Sequence, residues 1–96
     1  MKAYIVMDIE ITDPARYDDY KKLTHASIQQ FDGKFLIRGG AVETLEGEWN
    51  PGRFVVLEFP SMEQAKAWWS SEAYADAKAI RQSSSITQMI VAEGAF

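Results

Sequence analysis

The fold is decided by residues 53–69, which read RFVVLEFPSMEQAKAWW. The first seven residues are mostly aromatic or β-branched and lie between the turn formers Asn50-Pro51-Gly52 and Pro60, a pattern that predicts a strand. Alternation divides the strand between two faces. One face carries Arg53, Val55, Leu57 and Phe59, and the other carries Phe54, Val56 and Glu58. The first face can be buried, whereas the second includes a charge.

A helix is predicted directly after this strand. Ser61 stands three residues before Gln64, the spacing at which a hydroxyl and an amide satisfy two free N–H groups at a helix start. From this start Met62, Ala65 and Trp69 fall on one stripe, with Trp68 on its shoulder. We therefore expect this helix to place aromatic side chains on the sheet.

A second short helix follows at Ser71-Glu72, where a hydroxyl cap precedes an acidic first turn. The 3.6-residue periodicity of this helix predicts one inward-facing stripe of side chains and a second stripe next to it. The inward stripe is Ala73, Ala77 and Ile80, and the neighbouring stripe is Tyr74, Lys78 and Arg81.

Three further strands and one helix are predicted elsewhere. Residues 3–11 alternate between apolar and mixed positions, which predicts a strand with one apolar face. Asp13-Pro14 then opens a helix that runs to about Phe31, where Asp32-Gly33 ends it. Short strands follow at Lys34 to Arg38 and at Ile86 to Gly94. The inward face of the last strand is left open, because Gln88 interrupts one alternation.

The predicted element order is β-α-β-β-α-β, the ferredoxin-like α+β arrangement, as one domain over residues 1–96. Its four-stranded antiparallel sheet has both helices on one face. We call the other side of the sheet the bare face. The bare face is expected to carry Tyr4, Val6, Asp8, Leu36, Arg38, Phe54, Val56 and Glu58. A surface of this mixed character indicates a partner or a ligand.

Composition limits the possible partners. The net charge of −4 argues against nucleic acid, which requires a basic surface, and weakly against anionic membranes. The absence of cysteine excludes disulfides and thiolate chemistry and fits the cytoplasm. We expect no metal and no cofactor. The lone His25 is predicted to be solvated, and the alternative of a haem ligand or general base has no orienting partner nearby in the sequence.

Asp8 and Glu58 are the candidate catalytic residues. With Arg38 they are expected to project from three strands onto the bare face, where they could hold a substrate or move a proton. The alternative is an ion-pair network that only sets the register of a dimer.

The candidate ligand-binding residues are Arg38, Arg53, Tyr74, Arg81 and Trp68. The arginines could bind an anionic group through forked hydrogen bonds, and aromatic walls would supply apolar area. Alternatively, Arg81 caps its helix and Tyr74 packs at the edge of the sheet. Tyr17 and Tyr20 are expected in the core with their hydroxyls at its rim, or else at one end of a pocket.

A set of motifs gives the chain a family resemblance. These are Arg38-Gly39-Gly40, Trp49-x-Pro51-x-Arg53, Glu58-Phe59-Pro60-Ser61, Ala67-Trp68, Ser71-x-x-Tyr74 and Arg81. Over nearly its whole length the chain resembles the domain-of-unknown-function family numbered 1330. That family looks like a branch of the dimeric α/β-barrel superfamily, which includes small monooxygenases and isomerases. Trp69 departs from the family pattern, in which a tyrosine commonly follows the tryptophan.

The resemblance implies a homodimer in which two sheets pack through their bare faces and enclose a lumen. Two functions remain open. The protein could bind or transform a small organic acid or oxygenated aromatic in a lumen between sheet and helices. Alternatively, it could be a non-catalytic structural or regulatory homodimer whose polar lumen is filled. No catalytic motif decides whether it is an enzyme.

Overall fold

The computed structural model describes residues 1–96 and has seven elements. They are β1 (Ala3–Ile11), α1 (Pro14–Gln30), β2 (Lys34–Arg38), β3 (Arg53–Phe59), α2 (Met62–Trp69), α3 (Glu72–Ser84) and β4 (Ser85–Glu93). The strands form one antiparallel sheet in the order β2-β3-β1-β4. This is the predicted ferredoxin-like fold, with the second helical crossing divided into α2 and α3. None of the helices combines the length and apolarity needed to cross a membrane.

The helices begin and end where their capping residues predict. Asp13 accepts a hydrogen bond from the backbone of Arg16, and Pro14 occupies the first turn of α1. After α1, Asp32 adopts a left-handed backbone with φ of 60° and the N–H of Gly33 bonds to the carbonyl of Ile28. These contacts turn the chain back toward the sheet.

The core lies between the helices and one face of the sheet. The inward face of β1 and β3 is wholly apolar and buried, as the alternation predicts, and consists of Ala3, Ile5, Met7, Ile9, Val55, Leu57 and Phe59. β4, whose register the sequence left open, pairs Val91, Met89 and Thr87 with Ile5, Met7 and Ile9 respectively. Its odd-numbered residues therefore face the helices, and Ile86 and Ile90 lie on the bare face.

The inward stripes of α2 and α3 differ from the prediction. Trp68 is fully buried and Trp69 is 44% exposed, so the shoulder residue is the one that packs into the core. In α3 the buried residues are Tyr74, Ala77, Arg81 and Ser84, whereas Ala73 is exposed. Ala65 and Ala77 are buried as predicted. The difference is that each stripe is rotated toward an aromatic or charged side chain that has a hydrogen-bond partner, Trp68 in α2 and Tyr74 and Arg81 in α3.

The placement of Arg38 on the bare face was also wrong. A β-bulge between Phe35 and Ile37 inserts one residue into β2, so that Arg38 lies opposite Val55. Since Val55 faces the helices, Arg38 does too. Ile37 lies opposite Val56 and takes a bare-face position instead.

The two faces of β3 can be tested at adjacent positions. We expect Val55→Asp to lower the free energy of unfolding by about 3–5 kcal/mol, because it leaves an unpaired carboxylate in the core. Phe54→Asp, on the half-buried bare face, should cost far less in the monomer. Urea unfolding followed by circular dichroism measures both, and equal losses would contradict the facing of the strand.

Candidate functional site

A chain of polar side chains crosses the layer between sheet and helices. Arg81 is only 5% exposed, and its Nε donates to the hydroxyl of Tyr74 over 3.1 Å. The Tyr74 hydroxyl lies 3.0 Å from that of Tyr20, and either can donate to the other. Tyr74 thus connects a buried cation on α3 to a buried phenol on α1. We call these three residues the polar chain.

Local structure holds Tyr74 in this position. Its backbone N–H donates to the Ser71 hydroxyl that caps α3, and the Ser71 hydroxyl donates to the carbonyl of Trp68. The rings of Trp68 and Tyr74 stack with centroids 4.0 Å apart. Trp68 is itself anchored, because its indole N–H donates to Ser27 over 3.0 Å. Tyr74 and Arg81 lie on the same face of α3, because seven residues make up about two helical turns.

A cleft of about 550 Å³ opens on the β4 side of the polar chain. β1 and β4 form its floor, and α2 and α3 form its walls. It is lined by Ile5, Ala65, Lys66, Trp69, Arg81, Gln82, Ser85, Thr87, Met89, Ile90 and Val91. We call it the outer cleft.

Arg81 carries an unbalanced charge at the outer cleft. No carboxylate lies within ion-pair distance of it, and Nε makes its only side-chain hydrogen bond. A buried guanidinium without an anion is costly, since desolvation is not repaid. The terminal guanidinium nitrogens remain free to bind an anion in the cleft.

A second cavity, of about 20 Å³, lies on the β2–β3 side of the tyrosines. We call it the inner cavity. Its polar lining consists of Tyr17, Tyr20, Lys21, Thr24, Arg38 and Arg53. Arg38 and Arg53 therefore line one space and Arg81 another, so the three predicted arginines do not converge on a single ligand position.

Asp8 is held by the connection between β2 and β3. Its carboxylate accepts from the indole N–H of Trp49 over 2.8 Å and from the backbone N–H of Gly52 over 2.9 Å. The Trp49 ring packs edge-on against Phe54 at 6.1 Å. In this structure Asp8 thus fixes a loop at one end of the bare face.

Glu58 occupies the other end of the same face. Its carboxylate lies 3.2 Å from the Lys34 ammonium and 3.5 Å from that of Lys2, and Tyr4 donates to it over 3.4 Å. The hydrogen bond from Lys34 holds the pKa of Glu58 below its ordinary value, and the charge of Lys2 adds to this effect. Glu58 pairs with Tyr4, which lies four residues before Asp8 on β1. Asp8 and Glu58 are therefore separated by roughly 13 Å along the strands. The structure therefore does not bring the two carboxylates together.

The remaining candidates are Tyr17, Tyr20 and His25, and one of their side-chain positions differs from the prediction. Tyr17 and Tyr20 are buried in the core, but the Tyr20 hydroxyl lies inside it and not at its rim. His25 is exposed and stacks against Phe35 with ring centroids 6.0 Å apart. No group of three metal-ligating side chains occurs in the structure.

Sequence reasoning missed most of the outer cleft. Thr87 and Met89 line the cleft because of the register of β4. The sequence left this register open, since Gln88 interrupts the alternation of the strand. Trp69 was predicted on the inward stripe of its helix and noted as a departure from a family pattern, and it forms part of the wall. Its indole supplies apolar surface where a tyrosine would offer a hydroxyl.

Comparisons with known proteins support the family and the fold. A family model described as "Domain of unknown function (DUF1330)" matches residues 2–95. No curated protein matches the chain.

Three solved structures illustrate the range of similar folds. RPA0582, a protein of unknown function from Rhodopseudomonas palustris, is 14% identical with a TM-score of 0.78, covering 97% of this chain and 82% of its own. SnoaB, a cofactor-independent oxygenase from Streptomyces nogalater, is 12% identical with a TM-score of 0.63, and the coverages are 97% and 92%. A putative antibiotic biosynthesis monooxygenase from Nitrosomonas europaea is 16% identical with a TM-score of 0.59 and full coverage of both chains. At these identities the similarity shows the fold alone.

The buried tyrosines predict a loss of stability at alkaline pH. Burial, and secondarily the neighbouring phenol, raises the pKa of Tyr17 and of Tyr20 above the ordinary value of 10.0. The folded protein therefore keeps protons that the unfolded chain loses above pH 10.0. The free energy of unfolding should be insensitive to these groups below that pH and fall as the pH rises beyond it.

Urea unfolding on both sides of this pH tests the effect. Tyr20→Phe should lose stability less steeply than the wild type, by up to about 1.4 kcal/mol per pH unit. Identical slopes would show that Tyr20 ionises as easily in the folded protein as in the unfolded chain.

Proposed function

The chain belongs to the DUF1330 family, a domain of unknown function, and we propose from its outer cleft that it binds a small organic acid whose carboxylate or enolate contacts Arg81. The observation that carries this proposal is the buried Arg81 guanidinium without a carboxylate partner. An anionic ligand would supply the missing charge. Two parallel hydrogen bonds from a guanidinium suit a planar carboxylate.

The walls of the cleft favour an apolar or aromatic body for the ligand. Ile5, Met89 and Val91 form an apolar floor, and Trp69 adds a ring at the side. Hydroxyls on the β4 side could bond to an oxygen substituent on the ligand. A cleft of about 550 Å³ lies within the ordinary range for small-molecule sites. An oxygenated aromatic acid fits this combination better than a sugar phosphate, for which no glycine-rich cradle is present.

Binding, and not acid–base catalysis by side chains, is the role that we propose for the cleft. Its lining contains donors and apolar groups but no carboxylate and no imidazole. Asp8 and Glu58, the sequence-based candidates for catalysis, lie on the bare face and have partners there. Two proteins that share the fold are described as oxygenases, which supports an organic ligand.

The bare face supports a second proposal, that the protein is a homodimer. Ile86 and Ile90 are more than 60% exposed on this face, at 64% and 62%, and Ile37 is 41% exposed. They adjoin the half-buried Val6 and Phe54. A contiguous apolar surface of this kind is usually covered, and a second copy of the same face is the simplest self-complementary cover.

Arg81→Met tests the ligand proposal. We expect thermal-shift and calorimetric screens of small carboxylic acids and phenols to identify a compound that stabilises the wild type. Its Kd should rise at least about tenfold in the variant, since charge-assisted hydrogen bonds are lost. Without ligand, the stability of the variant should stay within about 1 kcal/mol of the wild type, because removal of an unpaired buried charge offsets the loss of its hydrogen bond to Tyr74.

Arg16→Met is the matched control, because Arg16 is exposed and lies outside the cleft lining. It should keep full affinity. The proposal fails if no compound stabilises the wild type, or if binding survives Arg81→Met unchanged.

Phe54→Asp tests the dimer. Light scattering coupled to size exclusion should give twice the mass of the chain for the wild type and the mass of one chain for the variant, since a carboxylate would be desolvated in the interface. Leu23→Asp, at a residue 49% exposed on α1, is the control and should remain dimeric. A monomeric wild type would overturn the proposal.

A further inference from the structure

Two local departures from regular strand geometry place arginines at the inner cavity. The β-bulge in β2 turns Arg38 to the helix side of the sheet, where it lines the cavity. One residue later, Gly39 adopts a φ of 72°, and a Cβ at this position would collide with the guanidinium of Arg53. Only glycine therefore combines this backbone with this side-chain position. Bulges that re-aim side chains in this way often occur beside functional sites.

Two donors around the inner cavity make no well-aligned hydrogen bond. These are the buried Nε of Arg53 and the buried hydroxyl of Thr24. The Arg53 guanidinium and the Thr24 hydroxyl nevertheless lie near enough to the hydroxyls of Tyr17 and Tyr20, respectively, to oppose the rise in the pKa of those phenols. Each such atom costs about 1–3 kcal/mol unless something in the cavity satisfies it. Both residues line the same small space, so one occupant could serve both.

The charges around the cavity favour an anion as this occupant. Arg38 and Arg53 have no carboxylate within ion-pair distance, and Lys21 lies 3.4 Å from Asp18. Asp18 does not line the cavity, and the other polar lining groups are the hydroxyls of two tyrosines and a threonine. The charged groups that line the cavity are thus all cations, and among them the partly buried Arg53 has no carboxylate partner.

The volume limits the occupant to a single small species. The centre of a water-sized sphere can occupy about 20 Å³ in this cavity, which leaves room for one small ion or water and too little for a carboxylic acid. We propose that the inner cavity is a binding site for a halide-sized inorganic anion, held by Arg53 Nε, the Thr24 hydroxyl and the charge of Arg38. This site is independent of the organic acid proposed for the outer cleft.

Bromide is the probe for this site, because its anomalous scattering distinguishes it from water. Crystals grown in bromide should show an anomalous peak in the inner cavity within hydrogen-bond distance of Arg53 Nε. In solution, bromide should raise the melting temperature of the wild type more than gluconate does at the same ionic strength. A water without anomalous signal at this position would overturn the proposal, as would equal effects of the two salts.

Two glycines with a positive φ provide a matched pair of variants that leaves every charge in place. Gly39→Ala should abolish the bromide-specific stabilisation, because the new Cβ displaces the Arg53 guanidinium. Gly47→Ala introduces the same kind of backbone strain, at a φ of 85°, but its Cβ meets nothing within 4 Å, and it should keep the effect. Bromide stabilisation that persists in Gly39→Ala would contradict the site.

Charge variants separate this site from the outer cleft. Arg38→Gln, at an exposed side chain whose loss should not unfold the protein, is expected to weaken the bromide effect. Arg81→Met should retain it. If the effect disappears in Arg81→Met and persists in Arg38→Gln, the halide binds in the outer cleft and the inner site is rejected.

Discussion

The hydrogen bond from Arg81 to Tyr74 is the contact on which the organisation of the interior depends. Burying a guanidinium against a sheet is costly where its donors lack partners, and Tyr74 satisfies Nε of Arg81 while Tyr20 continues the chain into α1. Because α3 presents Tyr74 and Arg81 on one face, the position of the arginine follows from the packing of the tyrosine against Trp68. The same contact occupies only Nε of Arg81, a residue that lines the outer cleft and whose terminal nitrogens make no side-chain hydrogen bond. Packing in the helical layer therefore also sets the direction from which an anion can be bound.

The order of the strands explains why the interior has two openings. β1 and β3 lie at the centre of the sheet and are covered by the helices, whereas β2 and β4 are its edges. The outer cleft lies over β4, and the inner cavity lies toward β2. Tyr20 and Tyr74 lie between the two spaces, so the helical layer leaves one space on each side of the polar chain. Each space contains at least one arginine without a carboxylate partner.

The sequence predicts the fold well because alternation and capping are local signals. Strand β3 and the helix starts at Asp13, Ser61 and Ser71 occur where the residues indicate. The site was less predictable, because a bulge reverses the direction of Arg38 and leaves no clear mark in the residues of β2. The periodicity of α2 also does not show whether Trp68 or Trp69 faces the core, because the two residues are adjacent and equally apolar. Their contacts in the folded protein decide it. Likewise, no periodicity indicates that Arg81 is buried, since arginine is usually exposed.

The net charge of the chain describes its surface and not its interior. A charge of −4 argues against a phosphate backbone as a partner, since that partner would meet the outside of the protein. The candidate carboxylates Asp8 and Glu58 lie on the bare face, where hydrogen bonds and lysines compensate them. The interior has the opposite balance, because Arg53 and Arg81 face spaces without acidic side chains. An acidic protein can thus present a locally cationic site to a small anion, and the low-dielectric walls strengthen that attraction beyond its value at the surface. Recognition of an anion by this fold therefore depends on which charges the sheet and helices enclose, and the total charge of the chain gives no measure of it.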